Sequence, residues 1–475
     1  MRASLLAFLV ACVPTFAGPA VPAEEECCEV NLWTGEGVAI GNWLLPEINY
    51  QAVAGSSTTN PARLAVGHHD PDRHGITQQA FEFSLTARLN SYISLFGTYS
   101  AKIDQSDHWV EEFEEFYATF ENLPGDLRIR AGRLQPRLGY QNERHLHDFD
   151  FVDQYLVNAR MFGEDPIVLY GGEVSVPVLR RLPKGWDDRL TVSFGSIPEP
   201  DEEEHLEFGP ETPFEAERNL FADWAATFDY RLGFAASPST RYELGIAGAV
   251  GKNEFGRHSQ VYGLHFQYEW KPPHEDHKGH VHHGHHHHNE SAEFFRWRTE
   301  VFARHFGAVS GHEEDEHDGE AGDVTVIPAQ PEVRGTVREF VGFRRIAGQF
   351  VPIFRTREVV VREARPAMTI EAESEPEEKP VRDEFMDMGF YSTLSYGFPS
   401  GRLQAHLRAE YVSGVSEAGL PERWRVSPVL TWRPTARLPI HFKLQYNYDH
   451  SPTFGDEHSV WAQFNLSWGD CCAHH

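Results

Sequence analysis

Histidine is the residue type in this chain best placed to do chemistry, and it is clustered. Of 27 histidines, nine fall in one stretch: His274, His277, His280, His282, His283, His285, His286, His287 and His288. Neutral imidazole is a good ligand for zinc, copper and nickel. A tract of this kind can wrap a cation with interchangeable ligands, although it lacks the fixed Cys/His spacing of a structural zinc site. A solvated low-complexity linker has the same composition. Metal contact is the favoured reading because the enrichment recurs at His68, His69 and His74, at His145 and His147, between His312 and His317, and at His474 and His475.

Cysteine is the second reactive type. Cys12 lies in an apolar leader, and the other four form two doublets, Cys27–Cys28 and Cys471–Cys472, near the two ends. Adjacent cysteines bridge each other only with strain, so cross-pairing of the doublets is the expected disulfide arrangement in an oxidising compartment. A thiolate–imidazole metal clip with His474 and His475, or four unpaired thiols, are the alternatives. The third group is charged residues embedded in alternating runs. Glu82, Glu269, Glu300 and Glu410 stand against Arg88, Arg128, Arg130, Arg408 and Lys443, with Arg296 and Arg298 beside them. On strands, such residues line the wall of a pore, and a solvated wall is their default role.

These side chains must be positioned by strands. The run from Ile440 to Asp449 alternates apolar and polar without a break, and so does the run from Val460 to Trp468. Side chains on a strand point to opposite faces with period two, so each run has one apolar and one polar face. Runs of about ten such residues, ending in aromatics, identify a transmembrane β-barrel. A soluble sandwich also alternates, but its strands are usually about five or six residues long. The chain is therefore all-β, an antiparallel barrel of about 16 strands. The strands are expected near 46–55, 78–89, 93–101, 109–121, 126–136, 167–179, 188–196, 221–232, 240–251, 259–270, 294–306, 386–398, 401–413, 424–433, 439–450 and 459–468. A hairpin-like piece at 334–365 would raise the count to about 18.

The remaining segments follow. Residues 1–23 read as a secretory signal, with Arg2 before a short apolar stretch and Val21-Pro22-Ala23 before the cut; a lipoprotein box ending at Cys12 is the minor alternative. Residues 24–45 form a periplasmic tether, 46–468 the barrel and 469–475 a Cys/His tail. Counting strands from either end puts the His-rich connection 271–293 on the periplasmic side, with 56–77, 137–166 and the long insertion 307–385 outside. Loop 137–166 follows a basic strand and holds aromatics, which makes it the candidate constriction. The net charge of −29 argues against a nucleic-acid partner.

Residues 78–166 carry a family resemblance. Val110-Glu111-Glu112, Leu123-Pro124-Gly125 and the run from Arg130 to Gly139 resemble the strand–turn–strand of phosphate-selective-type porins. Asn142, His145-Leu146-His147, Phe151-Val152-Asp153 and Phe162-Gly163-Glu164-Asp165 are similar to a His-rich subgroup labelled zinc-regulated outer-membrane receptors, and Trp270-Lys271-Pro272 and Trp297-Arg298-Thr299-Glu300 also fit it. The resemblance implies a barrel in a Gram-negative outer membrane with a porin-like role. It transfers no catalytic residue.

Three readings follow. The favoured one is an outer-membrane porin passing small hydrophilic solutes, with metal-binding loops and no required cofactor, Zn²⁺ being the candidate bound ion. The second is a metal-specific uptake channel or receptor. The third, an outer-membrane enzyme, needs a Ser, His and acid constellation that the sequence does not present. Expected partners are outer-membrane lipid and lipopolysaccharide, small solutes or metal ions. A homo-oligomer stays open.

Overall fold

The computed structural model describes residues 39–40, 43–103, 108–179, 181–198, 220–273, 293–309, 325–327, 333–346, 349–362, 368–370, 382–435 and 438–469. The signal, the Cys27–Cys28 and Cys471–Cys472 doublets, and the tract from His274 to His288 lie outside the described residues.

The described strands are β1 (Leu44–Ser57), β2 (Gly75–Arg88), β3 (Ile93–Ile103), β4 (Trp109–Leu123), β5 (Leu127–Leu134), β6 (Leu169–Val176), β7 (Trp186–Ser196), β8 (Phe221–Ser237), β9 (Thr240–Asn253), β10 (His258–Trp270) and β11 (Phe294–Val309). Then come β12 (Thr325–Ile327), β13 (Val333–Ile346), β14 (Gln349–Arg362) and β15 (Met368–Ile370), followed by β16 (Arg382–Gly397), β17 (Leu403–Val412), β18 (Arg423–Trp432), β19 (Ile440–Ser451) and β20 (Gly455–Trp468). Sixteen of them, β1–β11 and β16–β20, close into one antiparallel barrel. Closure is made by β1 on β20, from Ile48 opposite Trp468 to Ser57 opposite Ser459.

The barrel strands alternate as expected from their sequence, most clearly on β18 and β19, with the sense of a soluble core inverted. On β18, Arg423, Arg425, Ser427 and Thr431 are buried, while Trp424, Val426, Leu430 and Trp432 are exposed. On β19, Lys443, Gln445, Asn447 and Asp449 point in and Phe442, Leu444 and Tyr446 point out. Outward Leu264 and Phe194 are 62% and 61% exposed. An apolar outer wall of this extent is stable against hydrocarbon, not water. Near one rim the rings of Trp186, Phe234, Tyr242, Tyr268 and Phe295 touch in sequence across five adjacent strands, with centroids 4.8, 5.0, 5.1 and 5.9 Å apart. This is the aromatic girdle of a membrane interface.

Antiparallel order fixes which connections share an end. The rim bearing that girdle carries the connections 89–92, 124–126, 177–185, 238–239, 271–293, 398–402 and 433–439; the opposite rim carries 58–74, 104–108, 135–168, 197–220, 254–257, 413–422 and 452–454, and there β11 ends and β16 begins. The His-rich connection 271–293 thus leaves from the short-turn rim and is its one long departure.

The insertion 310–381 is a separate compact unit. Within it β13 pairs with β14 and β12 with β15, while β11 pairs directly with β16. The hairpin expected at 334–365 therefore exists but satisfies its own backbone, and the barrel has 16 strands rather than 18.

Candidate functional site

The connection between β5 and β6 supplies the site. It contains a short α1 (Leu156–Phe162) and a single 3-10 turn at Leu146–Asp148. A loop on a rim should be exposed, yet Leu138, Phe151, Val152, Tyr155, Leu156, Val157 and Met161 are all at most 2% exposed. Val152 packs with Val53 and Trp461, and all the others cluster with Ala225, Ala247, Ala249, Val261, Phe302, Tyr391, Val412 and Val429. Those wall residues occupy inward positions of β8, β9, β10, β11, β16, β17 and β18, where an open pore would carry polar groups. The loop has folded into the lumen, and the wall carries an apolar patch to receive it. Burial of each large apolar side chain there contributes about 1.5–3 kcal/mol.

Backbone groups taken inside must find partners, and the wall provides them. Gly139 N–H donates to Asp229 (2.8 Å), Tyr140 N–H to Glu300 (2.9 Å), Val152 N–H to Gln445 (2.7 Å) and Leu156 N–H to Glu410 (2.7 Å). Lys443 Nζ donates to Phe149 O at 2.5 Å, and Gln79 donates to Val152 O at 2.6 Å. Asn142 closes the neck of the loop, donating to Pro136 O and accepting from Ile167 N–H (2.9 and 2.8 Å). Asp153 accepts from Arg425, Asn447, Gln445 and Arg408. The Arg130–Glu173 pair (2.8 Å) lies beneath the start of the loop.

Of the charged wall positions read from sequence, Glu82, Arg130, Glu300, Arg408, Glu410 and Lys443 are buried. Their expected role as a solvated wall is corrected here, because the infolded loop covers them. Glu269 pairs with Lys271 at 3.3 Å toward the short-turn rim, and Arg88 and Arg128 are half-buried.

Gly139 shows how tight the fit is. Its φ is +66°, and a Cβ there would stand 2.3 Å from Glu300 Oε1. Gly139→Ala is expected to shift this turn and lower the thermal unfolding midpoint by several degrees, on the order of 1–3 kcal/mol. Thermal unfolding in detergent measures it.

Two of the histidine groups meet at one side of the loop. His145 Nδ1 lies 2.6 Å from Glu114 and its Nε2 lies 3.0 Å from Glu115. His147 Nδ1 contacts Glu82, its Nε2 is 3.4 Å from Glu47, and its ring stacks on that of His145 at 5.8 Å. His69 Nε2 approaches Glu114 at 3.7 Å, and His68 touches the His69 ring edge-on and Asp165 at 4.0 Å. His74 stands apart, exposed and bonded to Ser56, so it does not join this cluster.

Burial alone would lower both loop histidines. The hydrogen bonds and charges of Glu114 and Glu115 outweigh it and hold His145 well above the usual histidine range, and Glu82, Asp148 and Glu47 raise His147 to about 10. A ring with a carboxylate on each nitrogen is held as imidazolium. At His68 burial wins, helped by His69 and Lys102, and its pKa falls to about 2.

Sequence reasoning found the histidines but missed Glu47, Glu114 and Glu115. For Glu114 and Glu115 the reason is a bulge. Thr98 pairs with Glu115 and Tyr99 with Phe113, leaving Glu114 as the extra residue. A bulge breaks strict alternation, so the neighbours Glu114 and Glu115 are both buried between exposed Phe113 and Phe116. The visible signal was the run Glu111-Glu112-Phe113-Glu114-Glu115, too acidic for a regular half-apolar strand.

No family model matches the chain, and no curated protein matches it in sequence. The sequence resemblance to phosphate-selective-type porins and their His-rich subgroup therefore has no family match beside it. Solved structures with a similar arrangement include an anion-selective porin from Comamonas acidovorans (7% identity, covering 90% of this chain and 99% of that one, TM-score 0.45). The OmpF complex with daunomycin from Salmonella typhi matches at 7% identity over 90% and 99%, with TM-score 0.44. The outer membrane channel DcaP of Acinetobacter baumannii matches at 10% over 90% and 96%, with TM-score 0.41.

Proposed function

We propose that this protein is a channel of the Gram-negative outer membrane that passes small hydrophilic solutes through a lumen narrowed by its own loop 135–168. The observation that carries this reading is the combination of an apolar outer wall with a charged inner wall into which that loop is folded. A barrel of this strand number holds an aqueous channel unless something fills it. Here the filling reaches Glu47, Arg296 and Lys443 toward the short-turn rim, whereas Arg241, Glu243, Gln267 and Glu269 toward that rim keep contact with solvent. Short turns conventionally face the periplasm, so the tract from His274 to His288 belongs on the periplasmic side, where it would gather cations.

Planar-bilayer recording tests this reading. Full-length protein, refolded to its heat-modifiable form, should give ohmic channels of lower conductance than open 16-strand porins. Absence of any channel, with liposomes impermeable to small sugars, would replace the porin by a plugged barrel. The histidine–glutamate cluster favours the second reading, uptake directed at metal ions. Equal permeation by zinc and by uncharged sugars of similar size would exclude it.

A further inference from the structure

We propose that Glu82, Glu114 and His145 form a buried site for one divalent transition-metal cation of the zinc class, set between the barrel wall and the infolded loop. One carboxylate oxygen from each glutamate and a ring nitrogen of His145 all lie within 4.8 Å of one another. The three residues come from β2, the β4 bulge and the loop, and are 1%, 8% and 6% exposed. An imidazole with two carboxylates suits borderline cations such as Zn²⁺, Ni²⁺ and Co²⁺.

Ion pairing alone leaves part of this cluster unexplained. Glu82 contacts His147 through Oε2, but its Oε1 is buried and accepts no hydrogen bond. A buried carboxylate oxygen without a donor is costly, and a cation is the partner that would satisfy it. Charge points the same way. Glu47, Glu82, Glu114 and Glu115 surround His145 and His147. Four carboxylates outnumber the two rings, an acidic setting that suits a dication, and binding would displace a ring proton of His145 to free the ligating nitrogen. Of the other facing groups, His69 approaches Glu114 at 3.7 Å, Arg130 is committed to Glu173, and Asp148 adds another carboxylate.

Access and support are also present. A cavity of about 40 Å³, lined by His69, Glu112, Glu114, His145 and Asp165, adjoins the cluster. That is room for a small hydrated ion or a water completing the coordination. His147 holds Glu82 from behind, the orienting role that outer partners play around metal ligands. A bound cation would tie β2 and β4 to the loop. The site stands whatever solute the barrel passes.

The test uses zinc alone as probe on metal-stripped, full-length protein in detergent, in a background with the nine histidines of the His274–His288 tract changed to Asn. Competition against a chromophoric chelator should find one site that survives in this background, and Glu82→Gln and Glu114→Gln should each weaken it by at least about tenfold. Unchanged zinc affinity in both variants, with normal heat-modifiability, would overturn the proposal. Should either variant fail to fold, anomalous diffraction at the zinc edge from crystals of the background protein decides. A peak bounded by Glu82, Glu114 and His145 supports the site, and a peak elsewhere or none refutes it. The readout is metal occupancy, which does not depend on whether the barrel conducts.

Discussion

Replacing residues 137–166 by a short glycine–serine turn is expected to leave a closed barrel and to raise single-channel conductance several-fold. The barrel does not depend on the loop for its ladder: β5 pairs with β4 and β6 along its own length, and Leu134 sits opposite Leu169, so a tight turn can join the two ends. What the loop fills is the space that a barrel of this size otherwise leaves to water. Its removal uncovers Ala225, Ala247, Ala249, Val261 and Phe302, and strips Arg408 and Arg425 of Asp153. The shortened protein should therefore melt earlier, although those arginines regain water as a partner. Bilayer recording and heat-modifiability measure the two effects. Conductance equal to that of the parent, in a barrel that still shifts on gels, would mean the loop is not the constriction.

The strands were legible in the sequence because period-two alternation is imposed by geometry and has to persist for the full width of a membrane. Every expected barrel strand is present, and the boundary errors have local causes. The strand expected at 167–179 stops at Val176 because Pro177 has no N–H for the ladder, and the next amides, of Val178 and Leu179, turn to the Asp188 carboxylate instead. The one expected at 126–136 stops at Leu134, where Gln135 N–H leaves the ladder for Glu115 at 2.6 Å.

The site was half legible. Histidines are rare enough for their clustering to show, so His68, His69, His145 and His147 were found, and the structure brings them together across some 75 residues of sequence. Their partners Glu114 and Glu115 were hidden by the bulge at Glu114, which no periodic count anticipates. The infolding itself left only a faint trace. Ala225, Ala247, Ala249 and Val261 are inward residues that should have been polar, and small apolar residues in a run such as Gly245-Ile246-Ala247-Gly248-Ala249-Val250 read as weak alternation, not as a docking surface. Tertiary partners, not local pattern, give such positions their meaning.

Asp153→Ala should undock the loop and raise conductance at neutral pH, at a cost of about 3–5 kcal/mol in stability. Its two oxygens take four donors: Arg408 and Gln445 on Oδ1, at 2.5 and 2.7 Å, and Arg425 and Asn447 on Oδ2, at 3.1 and 2.8 Å. Truncation leaves two arginines, each at most 1% exposed, that each lose one carboxylate and keep Glu410 and Asp449 as ion-pair partners, with Leu64 O and Ser427 as neutral acceptors. Asp153→Asn separates charge from shape. It keeps the volume but points an amide N–H₂ at donors, so it should behave like the alanine variant. Acid should mimic both. Burial pushes the Asp153 pKa up, but Arg408 and Arg425 outweigh it and bring it from 3.8 down to about 2, against the opposing charge of nearby Asp70. A carboxylate whose folded pKa is depressed contributes stability that is present above its unfolded value and is lost as pH falls through the folded one. The parent channel should therefore keep its low conductance down to about pH 4 and open between about pH 4 and 2, while Asp153→Ala and Asp153→Asn are open from neutral pH onward. A parent trace that stays flat through this window, or an asparagine variant indistinguishable from the parent at pH 7, would show that the charge of Asp153 does not hold the loop in place.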